Sequence, residues 1–226
     1  MPRLLRSCLQ MEIVSVNVGK AVTVDIGGEP VATGIFKQPV SGRIRVEGVN
    51  VVGDDQADRE VHGGPDRALY AYASEDIVWW GQTLQRSDLS PGIFGENLTT
   101  AGIDVNAAIL GERWRVGSAL FEVSAPRVPC FKLAMRLNDP KIIRLFAKSL
   151  RTGTYLRIIE EGEIGAGDVL SIEFRPDHGV SIRDFSTIYF QKQDEALKLL
   201  SVPSLSASWR EWALHRAQPP ESSATS

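Results

Sequence analysis

The sequence predicts a mainly β protein, a β-barrel with a few peripheral helices, followed by a small three-helix unit. Three observations lead there. Short segments of alternating apolar and polar residues recur up to Phe174, separated by glycine-rich turns. Helix signatures are sparse in that region and cluster after Arg175-Pro176-Asp177. The chain has 226 residues, 43% of them hydrophobic, which allows one large core with a small appendage. Many short strands joined by glycine turns favour a barrel or sandwich, and a barrel leaves no open sheet edge.

The elements follow in order. Residues 1–10 carry Arg3 and Arg6 around a single apolar pair, Leu4-Leu5, too short for a signal-peptide core. They are expected to be an unstructured leader, with Met11 as the start and the barrel domain spanning residues 11–176. In Glu12–Val18, Val14, Val16 and Val18 share one face, and Ser15 and Asn17 the other. Residues 31–36 form a short strand after the Gly27-Gly28 turn. Residues 43–46 and 49–52 flank Gly48, and residues 68–72 make another strand. Ser74, with Glu75 and Asp76 in the first turn, caps a helix whose Ile77, Trp80 and Leu84 share a face. Residues 119–125 are the clearest strand: Ala119, Phe121, Val123 and Ala125 alternate with Leu120, Glu122 and Ser124. Asp139-Pro140 opens a second helix bearing Ile142, Ile143, Leu145 and Phe146. Strands at 155–159 and 169–174 are joined through Gly162, Gly165 and Gly167-Asp168. Helices at 181–190, 193–200 and 205–215 then make up the C-terminal unit, residues 177–217. Residues 218–226, rich in Pro and Ser, are expected to be disordered.

Composition excludes several function classes. The net charge of −3 gives no global basic field for a nucleic-acid polymer. No apolar run approaches the ~20 residues that span a bilayer. Two cysteines, Cys8 and Cys130, make no disulfide framework, so a reducing, cytoplasmic compartment is expected. The phosphate loop, the dinucleotide fingerprint and the G-x-S-x-G elbow are all missing. His62, His178 and His215 are too scattered for a zinc cluster. A papain-like pair of Cys130 and His62 is disfavoured, because nothing in the sequence places Cys130 at a helix N-terminus.

Four stretches carry candidate chemistry. In Pro126-Arg127-Val128-Pro129-Cys130-Phe131-Lys132-Leu133, two prolines stiffen the chain, and Arg127 and Lys132 bracket the thiol. Cys130 is either a reactive thiolate and soft metal ligand or a small buried hydrophobe. In Lys37-Gln38-Pro39-Val40-Ser41-Gly42-Arg43, an ammonium, a hydroxyl, a glycine amide and a guanidinium can hold a phosphate, unless this is a solvated turn. His62-Gly63-Gly64 lets backbone approach a ligand closely, with His62 as donor, or is a plain glycine turn. The turn from Gly92 to Leu98 presents Asn97, or simply enters a strand.

Taken together and in this order, "IFKQPVSGRIRV", "DREVHGGPDRALYAY", "GIFGENLT", "PRVPCFKL" and "RTGTYLRIIEEGEIGAGD" resemble the MOSC domain, in its YiiM-like branch. The resemblance runs from about Met11 to Phe174, and the C-terminal helices resemble the three-helix domain of that branch. It implies a barrel that binds the molybdenum cofactor (molybdopterin), with Cys130 as the metal ligand. It also implies reduction of small N-hydroxylated substrates such as N-hydroxylated purines. Under that resemblance Lys37, Ser41, Gly42, Arg43 and Arg127 are the expected phosphate donors. His62, Gly63, Gly64, Tyr70 and Asn97 are expected at the cofactor ring or substrate rim. The chain has no iron–sulfur cysteine spacing, so a separate flavin or iron–sulfur protein is the expected electron donor. The C-terminal helices are its candidate docking surface, or a cover over the barrel. A homodimer is compatible with the sequence. Two other readings stand open: sulfur transfer through a Cys130 persulfide, and a non-catalytic cofactor carrier. No pyridoxal-phosphate desulfurase domain is present to feed the former.

Overall fold

The computed structural model describes residues 10–57 and 63–216; the predicted leader up to residue 9, His62 and the tail from residue 217 lie outside them. Among the described residues strand makes up 33% and helix 29%. The mainly β expectation therefore understates the helices, and the fold is mixed α/β.

Eight strands, numbered in chain order, form one sheet. From edge to edge they are β13 (Leu170–Phe174), β9 (Arg113–Val116), β10 (Ala119–Pro126), β11 (Thr154–Glu160), β7 (Leu69–Ala73), β8 (Leu98–Ala101), β1 (Glu12–Val18) and β4 (Gln38–Pro39). All neighbours are antiparallel except β7 and β8, whose crossover runs through helix α1 (Ser74–Leu84). A second sheet joins β12 (Gly162–Gly165), β5 (Arg43–Glu47) and β6 (Asn50–Val51), and β2 (Val22–Ile26) and β3 (Glu29–Thr33) form a hairpin.

The strand order is open, unlike the closed barrel expected. Val169, just before the edge strand β13, makes one bridge to Glu12 of β1, the strand next to the opposite edge. There the Ile13 N–H donates to Asp168 O at 2.9 Å, Gly167 N–H to Ile13 O at 2.8 Å, and Leu170 N–H to Met11 O at 2.9 Å. The ladder goes no further because the other end of that β1 edge pairs with β4, Asn17 opposite Pro39 and Val18 opposite Gln38. Pro39 has no amide with which to extend it.

The predicted faces of β1 are also corrected. Val14 is 41% exposed, while Ile13, Ser15, Val16 and Asn17 are buried. A bulge between Ile13 and Ser15 breaks the period of two. β10 is buried along its whole length, because helices cover the face that alternation assigned to solvent. β3 ends at Thr33, short of the predicted Phe36. A Cβ at Gly34 would stand 2.4 Å from Asp55 O, so the chain there passes backbone against backbone into a loop. β12 lies where the glycines suggested only turns. A Cβ on Gly162 would meet Ser118 at 2.6 Å, so glycine allows two strands to cross closely.

Helix α1 begins at Ser74 with Ala73 in the cap position, and the Ser74 hydroxyl bonds Glu75 instead of a backbone amide. Helix α2 (Phe131–Leu137) was not foreseen, and α3 (Ile142–Ser149) starts two residues after Pro140. All three pack around Tyr72, Trp80, Phe94, Leu133, Leu137, Ile142 and Phe146. The Trp80 and Phe146 rings lie stacked with centroids 6.0 Å apart. This cluster fixes α2 through Leu133 and Leu137 and so fixes the residue before it, Cys130.

At the C-terminus, α4 (Ile182–Gln191) opens on a capping box between Ser181 and Asp184. A 3₁₀ helix (Gln193–Ser201) and α5 (Ala207–Arg216) follow. Ile182, Phe185, Leu199 and Ala213 continue the apolar core of the sheet. Trp209 packs edge-on to Phe185 at 4.9 Å and to Tyr189 at 5.4 Å, tying α5 to α4. Among the described residues no helix is long and apolar enough to cross a membrane.

Candidate functional site

A cavity of about 100 Å³, partly open to solvent, lies where six segments converge. The loop after β3 brings Gly34, Ile35 and Lys37. The turn after β6 brings Asp54, Asp55 and Gln56. β7 contributes Tyr70, the approach to β8 Gly95 and Asn97, and β11 Tyr155. The link from β10 to α2 supplies Arg127, Val128, Cys130 and Lys132.

Its floor is an ion pair. Asp54 is nearly buried, and its carboxylate accepts from Lys37 Nζ at 2.5 and 2.6 Å, from Gly19 N–H at 2.8 Å and from Asn97 Nδ2 at 2.9 Å. Burial pulls the Lys37 ammonium below its ordinary pKa, and Asp54 pushes it back up. Asn97 also receives the Tyr70 N–H on its Oδ1, at 3.1 Å, so the floor is tied to β7.

The wall beside Cys130 is cationic and aromatic. Arg127 is 7% exposed; its Nη1 donates to Phe94 O, and its guanidinium lies 4.9 Å above the Tyr70 ring. Tyr70 and Tyr155 face each other across β7 and β11 with ring centroids 5.4 Å apart. Burial raises both phenol pKa values, so both stay protonated at neutral pH, and the Tyr70 hydroxyl donates to Thr152 O at 2.7 Å. Arg67 lies 5.9 Å from the Tyr155 ring. Cys130, half-buried, occupies the N-cap position of α2 in extended conformation. That corrects the expectation that Cys130 stands away from a helix N-terminus. The helix went unseen because Phe131-Lys132-Leu133-Ala134 follows a proline pair that reads as loop.

Behind the floor, Glu96 is fully buried and accepts from Gly92 N–H at 2.6 Å, Phe94 N–H at 3.1 Å and Thr99 Oγ1 at 2.9 Å. Burial raises its pKa above the ordinary 4.5, with those hydrogen bonds opposing. The unfolded chain then ionises first as pH rises. Glu96 thus contributes stability that is present below pH 4.5 and is lost as pH climbs through its raised value. Thermal melting of wild type against Glu96→Gln from pH 4 upward should show this falling component only in wild type. Parallel curves would refute it.

Five predicted site residues come together here: Lys37, Tyr70, Asn97, Arg127 and Cys130. Ser41, Gly42 and Arg43 do not. Arg43 forks onto Asp168 at 2.8 and 3.2 Å and donates to Glu163 O at 2.7 Å, stitching the small sheet to the seam. Gly63 and Gly64 line a separate pocket of about 170 Å³ with Ser206 and Trp209. Gly64 N–H reaches the cavity wall only through Gln56 Oε1, at 3.0 Å. Sequence reasoning missed Asp54, Gln56, Arg67, Glu96 and Tyr155. The doubled Asp54-Asp55 after Gly53 was the available signal for the first.

The chemistry of the lining is consistent. Four cationic side chains, Lys37, Arg67, Arg127 and Lys132, outnumber two carboxylates, Asp54 and Asp55, around one thiol. The cavity suits an anionic group that accepts a soft sulfur ligand. Among the described residues no three His, Cys, Asp or Glu side chains gather to cage a metal, so a metal here must bring other ligands with it. A bound group of ordinary ligand size, roughly 300 Å³ or more, would extend through the open side.

Known proteins resemble this chain in sequence and fold. The sequence profile of the MOSC domain covers residues 58–171. An uncharacterized protein of Bacillus subtilis, YflK, is 36% identical over 201 residues, covering 88% of this chain and 90% of its own. The crystal structure of YiiM from Geobacillus stearothermophilus superposes with a TM-score of 0.76 at 34% identity, over 92% of this chain and all of that one. A Gibberella moniliformis protein named Reductase is 32% identical over 167 residues, 73% of this chain but only 29% of its own length.

Proposed function

The chain belongs to the MOSC domain family and is YiiM-like, and from that premise we propose that it is a molybdenum cofactor-dependent reductase of N-hydroxylated compounds. The observation that carries the proposal is Cys130 on the wall of a cation-rich cavity, beside the buried Arg127. The lining fits the cofactor by donor chemistry: one soft thiolate for the metal, and Lys37, Arg127 and Lys132 for anionic groups, with Asn97 holding Asp54 in place. The bound cofactor would supply the two-electron redox couple. In the reaction, R–NH–OH takes up two electrons and two protons, the N–O bond breaks, and the products are R–NH₂ and water.

The chain's own residues do the rest. Arg127 offsets the charge of the Cys130 thiolate and holds the loop before β8 in place through Phe94 O. Tyr70 and Tyr155, tilted 46° to each other, offer aromatic surface on which a planar base can pack. Among the lining groups with a shifted pKa, Lys37 is the acid that moves toward neutrality, so its Nζ is the readiest proton for the departing oxygen. Arg43, bound to Asp168, is assigned to the fold and not to the phosphate. The family reading also makes the eight-stranded sheet a barrel sealed at Glu12 and Val169. The fungal relative named Reductase carries more than two thirds of its length outside the matched region, which is in keeping with electrons arriving from a different module.

The test combines composition with turnover. Protein purified from a host that makes the cofactor should contain molybdenum and pterin, and should reduce 6-hydroxylaminopurine with reduced viologen dye. Bound cofactor without turnover would point to a carrier. A persulfide on Cys130 without metal would point to sulfur transfer.

A further inference from the structure

The stretch from Arg127 to Arg151 holds seven basic residues and one acidic residue, Asp139, in a chain whose net charge is −3. Arg127 and Arg151 are engaged, the latter with Asp76 and the Trp79 ring. Lys132, Arg136, Lys141, Arg144 and Lys148 have no ion-pair partner among the described residues. The last three are exposed. At about 100° per residue they fall within roughly 60° of one another on α3, opposite the buried Ile142 and Phe146.

Local stability does not account for this stripe. Lys141 sits at the N-cap of α3 and Arg144 in its first turn, where the helix dipole disfavours cations, and the first turn holds no acidic residue; only Asp139, accepting from the Lys141 N–H at 2.9 Å, stands before it. The spacings of three and four residues also place like charges side by side. At the head of α2, Phe131 is 48% exposed directly after Cys130, and Lys132 lines the cavity. α2 is about 10 Å long at 1.5 Å per residue, and α3, which carries the stripe, packs against it. An exposed aromatic on the same helix pair as a row of unpaired cations is the composition of a transient, charge-steered interface.

We propose that the α2–α3 surface, Phe131 with Lys132, Lys141, Arg144 and Lys148, docks a small electron-carrying protein through an acidic face around its flavin or iron–sulfur centre. This rests on the reductase reading, which requires two electrons from outside the chain. It moves the docking site from the C-terminal helices to the helices that hold Cys130. Steering by exposed charge brings the carrier's redox centre to the cavity and releases it after transfer, with a steep dependence on ionic strength.

The test uses the cofactor-loaded protein, an acidic flavodoxin as probe, and the variant Lys141→Glu/Arg144→Glu/Lys148→Glu. Lys192→Glu/Lys198→Glu on the C-terminal helices serves as control. Thermal melting checks folding; two of the three new glutamates sit where the α3 dipole favours acid. Binding of oxidised flavodoxin, titrated at several salt concentrations, should weaken by about tenfold or more in the triple variant, with a shallower salt slope. kcat/KM with reduced flavodoxin should fall in parallel, while turnover with viologen stays unchanged. The control should behave as wild type. Equal flavodoxin binding by wild type and triple variant, or no binding by either, overturns the proposal. So does an equal loss of turnover with both donors, or a loss confined to the control. Binding of single-stranded RNA or of phosphatidylserine vesicles that exceeds flavodoxin binding, and that the triple variant abolishes, also overturns it. A wild type that binds flavodoxin by this surface but reduces nothing with viologen would sink the reductase reading and leave the docking surface standing.

Discussion

Cys130→Ser should fold as well as wild type and lose its metal. Serine is nearly isosteric with cysteine, and position 130 is the N-cap of α2, where the cysteine side chain makes no capping bond. Serine is a favoured N-cap residue, so the melting temperature should hold or rise slightly. The metal should behave oppositely. A serine hydroxyl is a hard donor that stays protonated at neutral pH, whereas the thiolate suits a soft centre. Molybdenum content should fall by at least about tenfold, the low end of the cost of disturbing a metal site. Turnover of an N-hydroxylated base should drop about 10³-fold, equivalent to about 4 kcal/mol of transition-state stabilisation. Elemental analysis, pterin fluorescence and a viologen-coupled assay on the same preparation measure all three. Undiminished molybdenum in a folded Cys130→Ser protein would overturn the assignment of this residue as the metal ligand.

The second large effect is on stability. Asp54→Ala leaves the Lys37 ammonium buried without its counter-ion and strips acceptors from Gly19 N–H and Asn97 Nδ2. Removing one partner of a buried pair costs about 3–5 kcal/mol, against a total stability of about 5–15 kcal/mol for a typical domain. The denaturant midpoint should fall sharply. The double variant Asp54→Asn/Lys37→Met should recover much of the loss, because it replaces both charges and keeps a polar partner for Asn97. The double variant should still lose activity, since Lys37 holds the proposed transferable proton. Equal destabilisation by the single and double changes would show that Asp54 matters for its backbone bonds and not for the charge.

Local pattern was enough to place much of the fold. The alternation at residues 119–125 found β10, and the Asp139-Pro140 signature found α3 to within two residues. It failed where tertiary packing overrides period. The bulge in β1 turned Val14 outward. The glycines of β12 read as turns because their use, close crossing of another strand, lies 44 residues away at Ser118. In the site, Cys130, Arg127 and Lys37 were found because each sits in an unusual local string. Asp54, Glu96 and Tyr155 were not, because their roles depend on partners far along the chain: Asp54 meets Lys37 and Asn97 only in the fold. Arg43 illustrates the opposite error. It stands six residues from Lys37 in a phosphate-like string, yet a β-strand between them carries it to Asp168.

The seam between Glu12 and Val169 also sets the order in which the molecule can be completed. β1 is the first strand to be synthesised, and its partner across the seam lies 157 residues later. One edge of β1 can be satisfied once β8 has emerged, and the far end of the other by β4, but its Met11–Ile13 end must wait for residues 167–170. Contacts of such separation form slowly, because loop-closure entropy precedes any gain from pairing. During that interval the unpaired β1 edge, with Val14 beside it, is the segment most open to pairing with another chain. Conditions that delay the arrival of residues 165–174, such as truncation or slow translation near the 3′ end of the message, should therefore produce aggregation and not a soluble, partly active fragment.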